Sequence, residues 1–242
     1  KGAGAGEPPL TGRGAGMRAI GPAVREYIMS EALHALGIAT TRCLAVVTTG
    51  ETVYRQPPRP GAVVTRLAKS HIRVGSFQYL ATQGDIEGLE KLVDYAINCH
   101  FPDISSTGEQ RYIEFLTAVL DKQIELVISW MRIGFIHGVM NTDNSLISGE
   151  TIDYGPCAMM GTYDPQTVYS SIDTMGRYAF GNQSEIARWN IARFAECLLP
   201  LINADTTKAI DRVAPFITDF PDRFKQVHMK MMGKKLGLTT FK

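Results

Sequence analysis

The sequence predicts an α+β chain in two parts, the first of short strands with one helix, the second mostly long helices. Three observations carry this reading. Residues 43–49 (CLAVVTT) and 62–68 (AVVTRLA) are short, rich in β-branched residues and bounded by Gly and Pro, as strands are. Apolar residues recur at helical spacing over 111–133 and 184–199. Between those helical stretches, residues 137–181 are polar and turn-rich and hold the densest group of unusual polar side chains.

Taken in order, residues 1–21 read as a loop, with seven Gly and with Pro8 and Pro9 among them. A helix is predicted from Pro22 to Leu36. Pro22 suits its first turn, Gly37 suits the position past its end, and Val24, Ile28, Ala32 and Leu36 fall on one face. The segment RQPPRPG, 55–61, joins the two strands as a turn. At Asp85 the character changes. Asp85 is a candidate N-cap for a helix whose stripe is Ile86, Leu89, Leu92, Val93, Ala96 and Ile97. The next stripe runs through Ile113, Leu116, Leu120, Ile124, Val127 and Met131. The last is capped by Ser184 and carries Ile186, Ile191, Phe194 and Leu198. The predicted division is therefore 1–80 and 81–242.

The 242 residues suffice for one large domain or two small lobes around a shared cleft. They are 45% hydrophobic and 20% charged, with 25 basic residues against 24 acidic ones. A net charge of +1 provides no long-range field to attract nucleic acid or an anionic membrane. No apolar run reaches the roughly 18 residues of a membrane span. Cys43, Cys99, Cys157 and Cys197 are scattered without metal-ligand spacing and are expected to be buried free thiols. The chain has no initial Met and opens on a glycine-rich run, so it reads as a fragment.

The strongest local signal is His137-Gly-Val-Met-Asn-Thr-Asp-Asn144 followed by Ile152-Asp-Tyr-Gly-Pro156. In protein kinases H-R-D-L-x-x-x-N precedes D-F-G, and the Asn and the second Asp hold the metal ions that bridge ATP phosphates. In that register Asn144 and Asp153 are the metal ligands. Mg²⁺ takes hard oxygen donors and keeps waters, so one amide oxygen, one carboxylate and the phosphates suffice. The kinase base would fall at position 139, which is Val139, and a carboxylate stands instead at Asp143. The domain is then either inactive or runs another reaction. A pair of Asx-turns is the purely structural alternative.

Two further groups suit a nucleotide site. Lys1, in Lys1-Gly-Ala-Gly, and Glu26, on the first helix, match the Lys on the phosphates and the Glu that holds it. Arg66 and Arg73 flank the end of the second strand in Arg66-Leu-Ala-Lys-Ser-His-Ile-Arg73, and an Arg fork matches phosphate oxygens. Surface salt bridges are the alternative for these arginines.

Together the stretches KGAG, REYIMSEALHALGIATTR, RLAKSHIRVGSFQY, HGVMNTDN, TIDYGP, GRYAFGNQSEIARWN and KKLGL resemble the selenoprotein O family of protein adenylyltransferases, in family order and over most of the chain. The resemblance implies a protein-kinase-like bilobal fold, present here in part, with ATP bound in reversed orientation. It implies transfer of AMP, not phosphate, to Ser, Thr or Tyr hydroxyls of proteins, with Mg²⁺ (or Mn²⁺) as cofactor. Lys1, Arg66 and Arg73 would then hold the β- and γ-phosphates, Asn144 and Asp153 the metal, and Asp143 would be the base. Gly16-Met17-Arg18 stands where the family has Asp-Gly-Arg contacting the nucleotide, so Gly16 and Met17 are carried over with that departure. The family's upstream glycine-rich nucleotide loop and its C-terminal redox-active Cys or selenocysteine are absent from these residues. The compartment implied is cytoplasmic for a bacterial source and mitochondrial for a eukaryotic one. The competing readings are a pseudokinase-type nucleotide-binding module and a kinase-fold phosphotransferase.

Overall fold

A computed structural model describes residues 2–3, 18–54 and 57–238 of the chain. Packing divides them into two units. One holds the described residues up to Lys69 together with Glu150–Gly155, and the other holds Ser70–Gly149 and the described residues from Pro156 onward.

The first unit is a helix on a small antiparallel sheet. Strands β3 (Arg42–Val53) and β4 (Arg59–Leu67) form a long hairpin, with Val46 opposite Val64 and Thr48 opposite Ala62. The short β1 (Gly2–Ala3) and β2 (Arg18–Ala19) also pair with β4. Alternation along β4 turns Ala62, Val64 and Arg66 to the buried side. Helix α1 (Ile20–Ala35) covers that side, and Ala23, Cys43, Ala62 and Val64 form its small core.

The helix starts two residues before the predicted Pro22, and Gly37 takes the left-handed φ of 73° just past its end. Its buried face is not the predicted one. Ala23, Glu26, Ser30 and Leu33 point inward, whereas Val24, Ile28 and Leu36 are exposed, Ile28 by 56%. Small side chains allow α1 to approach the sheet closely, and the face so chosen buries a glutamate.

Segment 150–155 joins this unit through backbone bonds. Thr41 N donates to Thr151 O at 3.0 Å, and Thr151 N donates to Ala39 O at 3.0 Å. Ile152 and Tyr154 are buried, and the hydroxyls of Tyr154 and Thr40 are hydrogen-bonded.

The second unit is helical: α2 (Val74–Gln83), α3 (Ile86–His100), α4 (Gly108–Ile133), α5 (Gln183–Ile202), α6 (Thr206–Thr218) and α7 (Phe220–Lys235). Asp85 caps α3 as expected, accepting from Gly88 N at 2.9 Å. Ser184 does not cap α5. That helix begins at Gln183 after a 3₁₀ turn, with Asn182 in the N-cap position. Phe194 meets Phe77 and Phe115 edge to face at centroid distances of 5.0 and 5.4 Å, Phe77 and Phe115 are tilted at 6.1 Å, and the three join α2, α4 and α5. The short β5 (Phe135–Ile136) and β6 (Ala158–Met159) pair antiparallel. All four cysteines are free thiols, but Cys99 is exposed and Cys157 partly so, contrary to expectation. Burial pushes the Cys197 thiol up to about 11, which disfavours the thiolate.

Candidate active site

In the first unit the site is built on Glu26. The inward face of α1 carries it, and the inward face of β4 carries Arg66 two residues beyond Val64. Glu26 is 2% exposed and its carboxylate is fully engaged. Arg66 Nη2 donates to Oε2 at 2.6 Å, Arg18 Nη1 to Oε1 at 2.6 Å, and Tyr154 N to Oε1 at 3.1 Å. Arg18 then reaches across with Nη2 to Asp153 Oδ1 at 2.9 Å. The result is a four-member network of two guanidiniums and two carboxylates, neutral overall and closed over buried residues.

The charges tune one another. Burial pushes the Asp153 carboxyl up, but the hydrogen bond and charge of Arg18, with help from Arg66, outweigh it and hold Asp153 below its ordinary range. Burial likewise weakens the Arg18 cation, and Glu26 and Asp153 more than restore it. Asp153 also has a φ of 68°, and among the described residues it is the only non-glycine with positive φ. Such a conformation costs on the order of 1–3 kcal/mol and persists only where its surroundings impose it.

In the second unit the site is the loop 137–147, held by buried amides. Gln183 closes a pair of bonds on its start, donating to Phe135 O at 3.1 Å and accepting from His137 N at 3.1 Å. Asn190 Nδ2 donates to Met140 O at 3.0 Å and to Ser145 Oγ at 2.7 Å, and Gln123 donates to Leu146 O at 2.7 Å. His137 is fully buried beside Trp130 and accepts from Val139 N through Nδ1, so it organises the loop. The loop also grips α2. Val74 N donates to Ser145 O at 2.9 Å, and Ile147 N to Ile72 O at 3.2 Å.

Asp143 and Asn144 lie on a 3₁₀ turn of this loop, Thr142–Asn144. Asn144 Nδ2 donates to Val139 O at 3.0 Å, which leaves Oδ1 as the atom of that amide able to bind a cation. Asp143 is exposed, and its carboxylate makes no hydrogen bond or ion pair among the described residues. It is the one acid of residues 137–147, and its carboxylate is uncommitted among the described residues.

Of the sequence-predicted residues, Glu26, Arg66 and Asp153 fall in the first unit, with Glu26 directly bonded to Arg66. Asp143, Asn144 and Arg73 fall in the second, Arg73 as the residue preceding α2. Lys1, Gly16 and Met17 lie outside the described residues. Sequence reasoning does not single out Arg18, yet it bridges the carboxylates of Glu26 and Asp153. Its signal was present, as the Arg retained where the family has Asp-Gly-Arg. The donors suit a hard cation. Asn144 offers an amide oxygen, and Asp153 a carboxylate that is 32% exposed and favours its charged form. No group of three or more His, Cys, Asp or Glu that could hold a metal occurs among the described residues, so phosphate and water oxygens would have to complete any Mg²⁺ shell.

Residues 1–242 match the protein-family description "Protein adenylyltransferase SelO". Among curated proteins, the chain is 63% identical over 235 residues to the protein nucleotidyltransferase YdiU of Pseudoalteromonas translucida, covering 97% of this chain and 50% of that protein. It is 55% identical to the YdiU of Teredinibacter turnerae (97% of this chain, 49% of the relative) and 54% identical to that of Syntrophotalea carbinolica (98% and 48%). The chain thus spans about half the length of the curated relatives it matches. A match over the full 242 residues shows the family: the chain belongs to the SelO family of protein adenylyltransferases.

Proposed function

We propose that the protein transfers AMP from ATP to hydroxyl side chains of other proteins and releases pyrophosphate. The observation that carries this reading is the uncommitted carboxylate of Asp143, one residue before Asn144, in a chain whose kinase-type base position is Val139. In the reaction the acceptor oxygen bonds to the α-phosphorus and the bond from that phosphorus to the α–β bridging oxygen breaks. Asp143 takes the hydroxyl proton as attack proceeds, a contribution worth typically 10²–10⁴-fold. Arg66 and Arg73 hold β- and γ-phosphate oxygens, and Lys1, Gly16 and Met17 complete the nucleotide contacts that the family resemblance assigns. Asn144 and Asp153 are the ligands for Mg²⁺ or Mn²⁺, which when bound neutralises phosphate charge. Glu26 is a positioning residue, since it orients Arg18 and Arg66.

A kinase-like fold suits the two units, one a sheet with a covering helix and the other helical, as an N-lobe-like and a C-lobe-like part. Ser, Thr or Tyr hydroxyls of proteins are the acceptors. A cytoplasmic place is supported by the bacterial relatives. No described helix is long and apolar enough to cross a membrane.

The test uses full-length protein with ATP labelled at the α- or the γ-phosphate. Label should reach protein from the α position alone, and Asp143→Asn should cut that transfer about 100-fold or more while ATP binding survives. Transfer from γ would establish a phosphotransferase, transfer from neither a pseudokinase-type binding module. Near-normal transfer by Asp143→Asn would remove Asp143 from the base role.

A further inference from the structure

Among the described residues Asp143 makes no hydrogen bond that would hold its carboxylate in place, yet its position is defined by what lies beneath it. Gly75 is the second residue of α2. A Cβ added there would overlap Asp143 Oδ1 and come 3.2 Å from Asp143 Cγ and 3.6 Å from its Cα. The carboxylate therefore rests on bare backbone, in the space where any other residue would carry its side chain. It also lies beside the first turn of α2, the end at which the helix dipole favours a negative charge.

Which group would move if that space were filled follows from the bonds around it. The start of α2 and the residues just before it are tied to the loop by Val74 N to Ser145 O and by Ile147 N to Ile72 O, next to Gly75 on one chain and to Asp143 on the other. The first turn is tied to itself by Ser76 N to Arg73 O at 3.0 Å and Arg73 N to Ser76 Oγ at 3.2 Å. Ser145, in turn, is held by the buried Asn190. Neither backbone can retreat without breaking such bonds. The Asp143 side chain is exposed and has nothing of the kind to lose, so a methyl group at position 75 would turn it away by rotation.

We infer that Gly75 is a positioning residue for AMP transfer: its missing side chain is the seat that fixes the Asp143 carboxylate on the first turn of α2. The inference rests on the reading of Asp143 as the base. It also explains a glycine in the first turn of a ten-residue helix, where alanine would reduce the entropy lost on folding.

The test is a double-mutant cycle in full-length protein, following AMP transfer from α-labelled ATP, ATP affinity by calorimetry, and Tm. Gly75→Ala should lower kcat at least tenfold with ATP affinity within twofold. Added to Asp143→Ala it should change the residual transfer by less than twofold, because the group it displaces is already gone. Normal transfer by Gly75→Ala, beside a crippled Asp143→Ala, would overturn the seat and leave the base reading intact. A normal Asp143→Ala would instead overturn the base reading, and the seat with it. A loss that multiplies in the Asp143→Ala background would show that Gly75 acts elsewhere. Should Gly75→Ala melt early, the Asp143→Ala background decides: recovery of Tm there identifies the clash as the one with Asp143, and no recovery overturns the inference.

Discussion

Glu26→Ala should destabilise the first unit more than any other single change in its charged network. The carboxylate is 2% exposed and accepts three hydrogen bonds, two of them from guanidiniums at 2.6 Å. Removing one member of a buried charge network leaves the opposite charges without compensation, at a loss of about 3–5 kcal/mol. The Arg66 side chain is only 8% exposed and cannot turn to water, so most of that loss is expected. For a chain of this size, 1 kcal/mol at the midpoint moves Tm by roughly 2–4 °C, so the shift should be roughly 6–20 °C. Arg18→Ala should do far less, about 1 kcal/mol, since its side chain is 29% exposed and water substitutes for part of what it loses. Urea unfolding of the two variants beside the parent protein, read by circular dichroism and by Tm, makes the comparison. A Glu26→Ala loss under 1 kcal/mol, or one no larger than that of Arg18→Ala, would show that the network does not organise this unit.

Two further outcomes follow. Asp153→Gly should abolish Mg²⁺-dependent ATP binding in calorimetry while keeping stability above that of Asp153→Ala, because glycine adopts a φ of 68° without strain; unchanged ATP affinity would remove Asp153 from the metal site. Asp121 carries a pH effect of opposite sign to the usual acid: burial raises its pKa, Arg223 lowers it, and Glu125 helps to leave the net raised. A raised native pKa stabilises below the unfolded value of 3.8, and that contribution is lost as pH climbs through the native value, so the effect of Asp121→Asn on Tm should grow more favourable from pH 4 to pH 7. Melts showing the reverse trend would refute it.

Much of this was legible from residue order alone, and the failures share a cause. The strands, α3 with its Asp85 cap and the long α4 follow from local pattern, because the side chains of each face the core of its own unit. The buried face of α1 did not follow. Counting apolar residues selects Val24, Ile28 and Leu36, but close packing on the sheet selects Ala23 and Ser30, and it buries Glu26 because partners arrive from residues 18, 66 and 154. None of those partners is local to α1. Helix α2 was missed because it is only ten residues long, begins after an arginine instead of a Ser or Asp, and has Gly75 in its first turn. Arg18 is hard to read from residue order, because Gly16-Met17 stands before it where the family pattern has Asp-Gly.

The two acids of the family motif are held in opposite ways, and the contrast bears on their roles. Asp153 sits between two buried anchors. Ile152 faces the core on one side, and on the other Tyr154 is fixed by its amide to Glu26 and by its hydroxyl to Thr40. With both neighbours fixed inward, residue 153 must take the left-handed conformation, a position at which glycine would be the unstrained choice. The Asp153 carboxylate is held in direction and drawn to its charged form by Arg18. A metal ligand needs that rigidity. Asp143 is the reverse, an exposed carboxylate that no hydrogen bond among the described residues restrains and that rests in the space above Gly75. A base must meet an incoming hydroxyl, take its proton and release it, which a carboxylate saturated by fixed donors does poorly. The difference in restraint, more than the order of residues in the motif, supports giving the metal to Asp153 and the proton to Asp143.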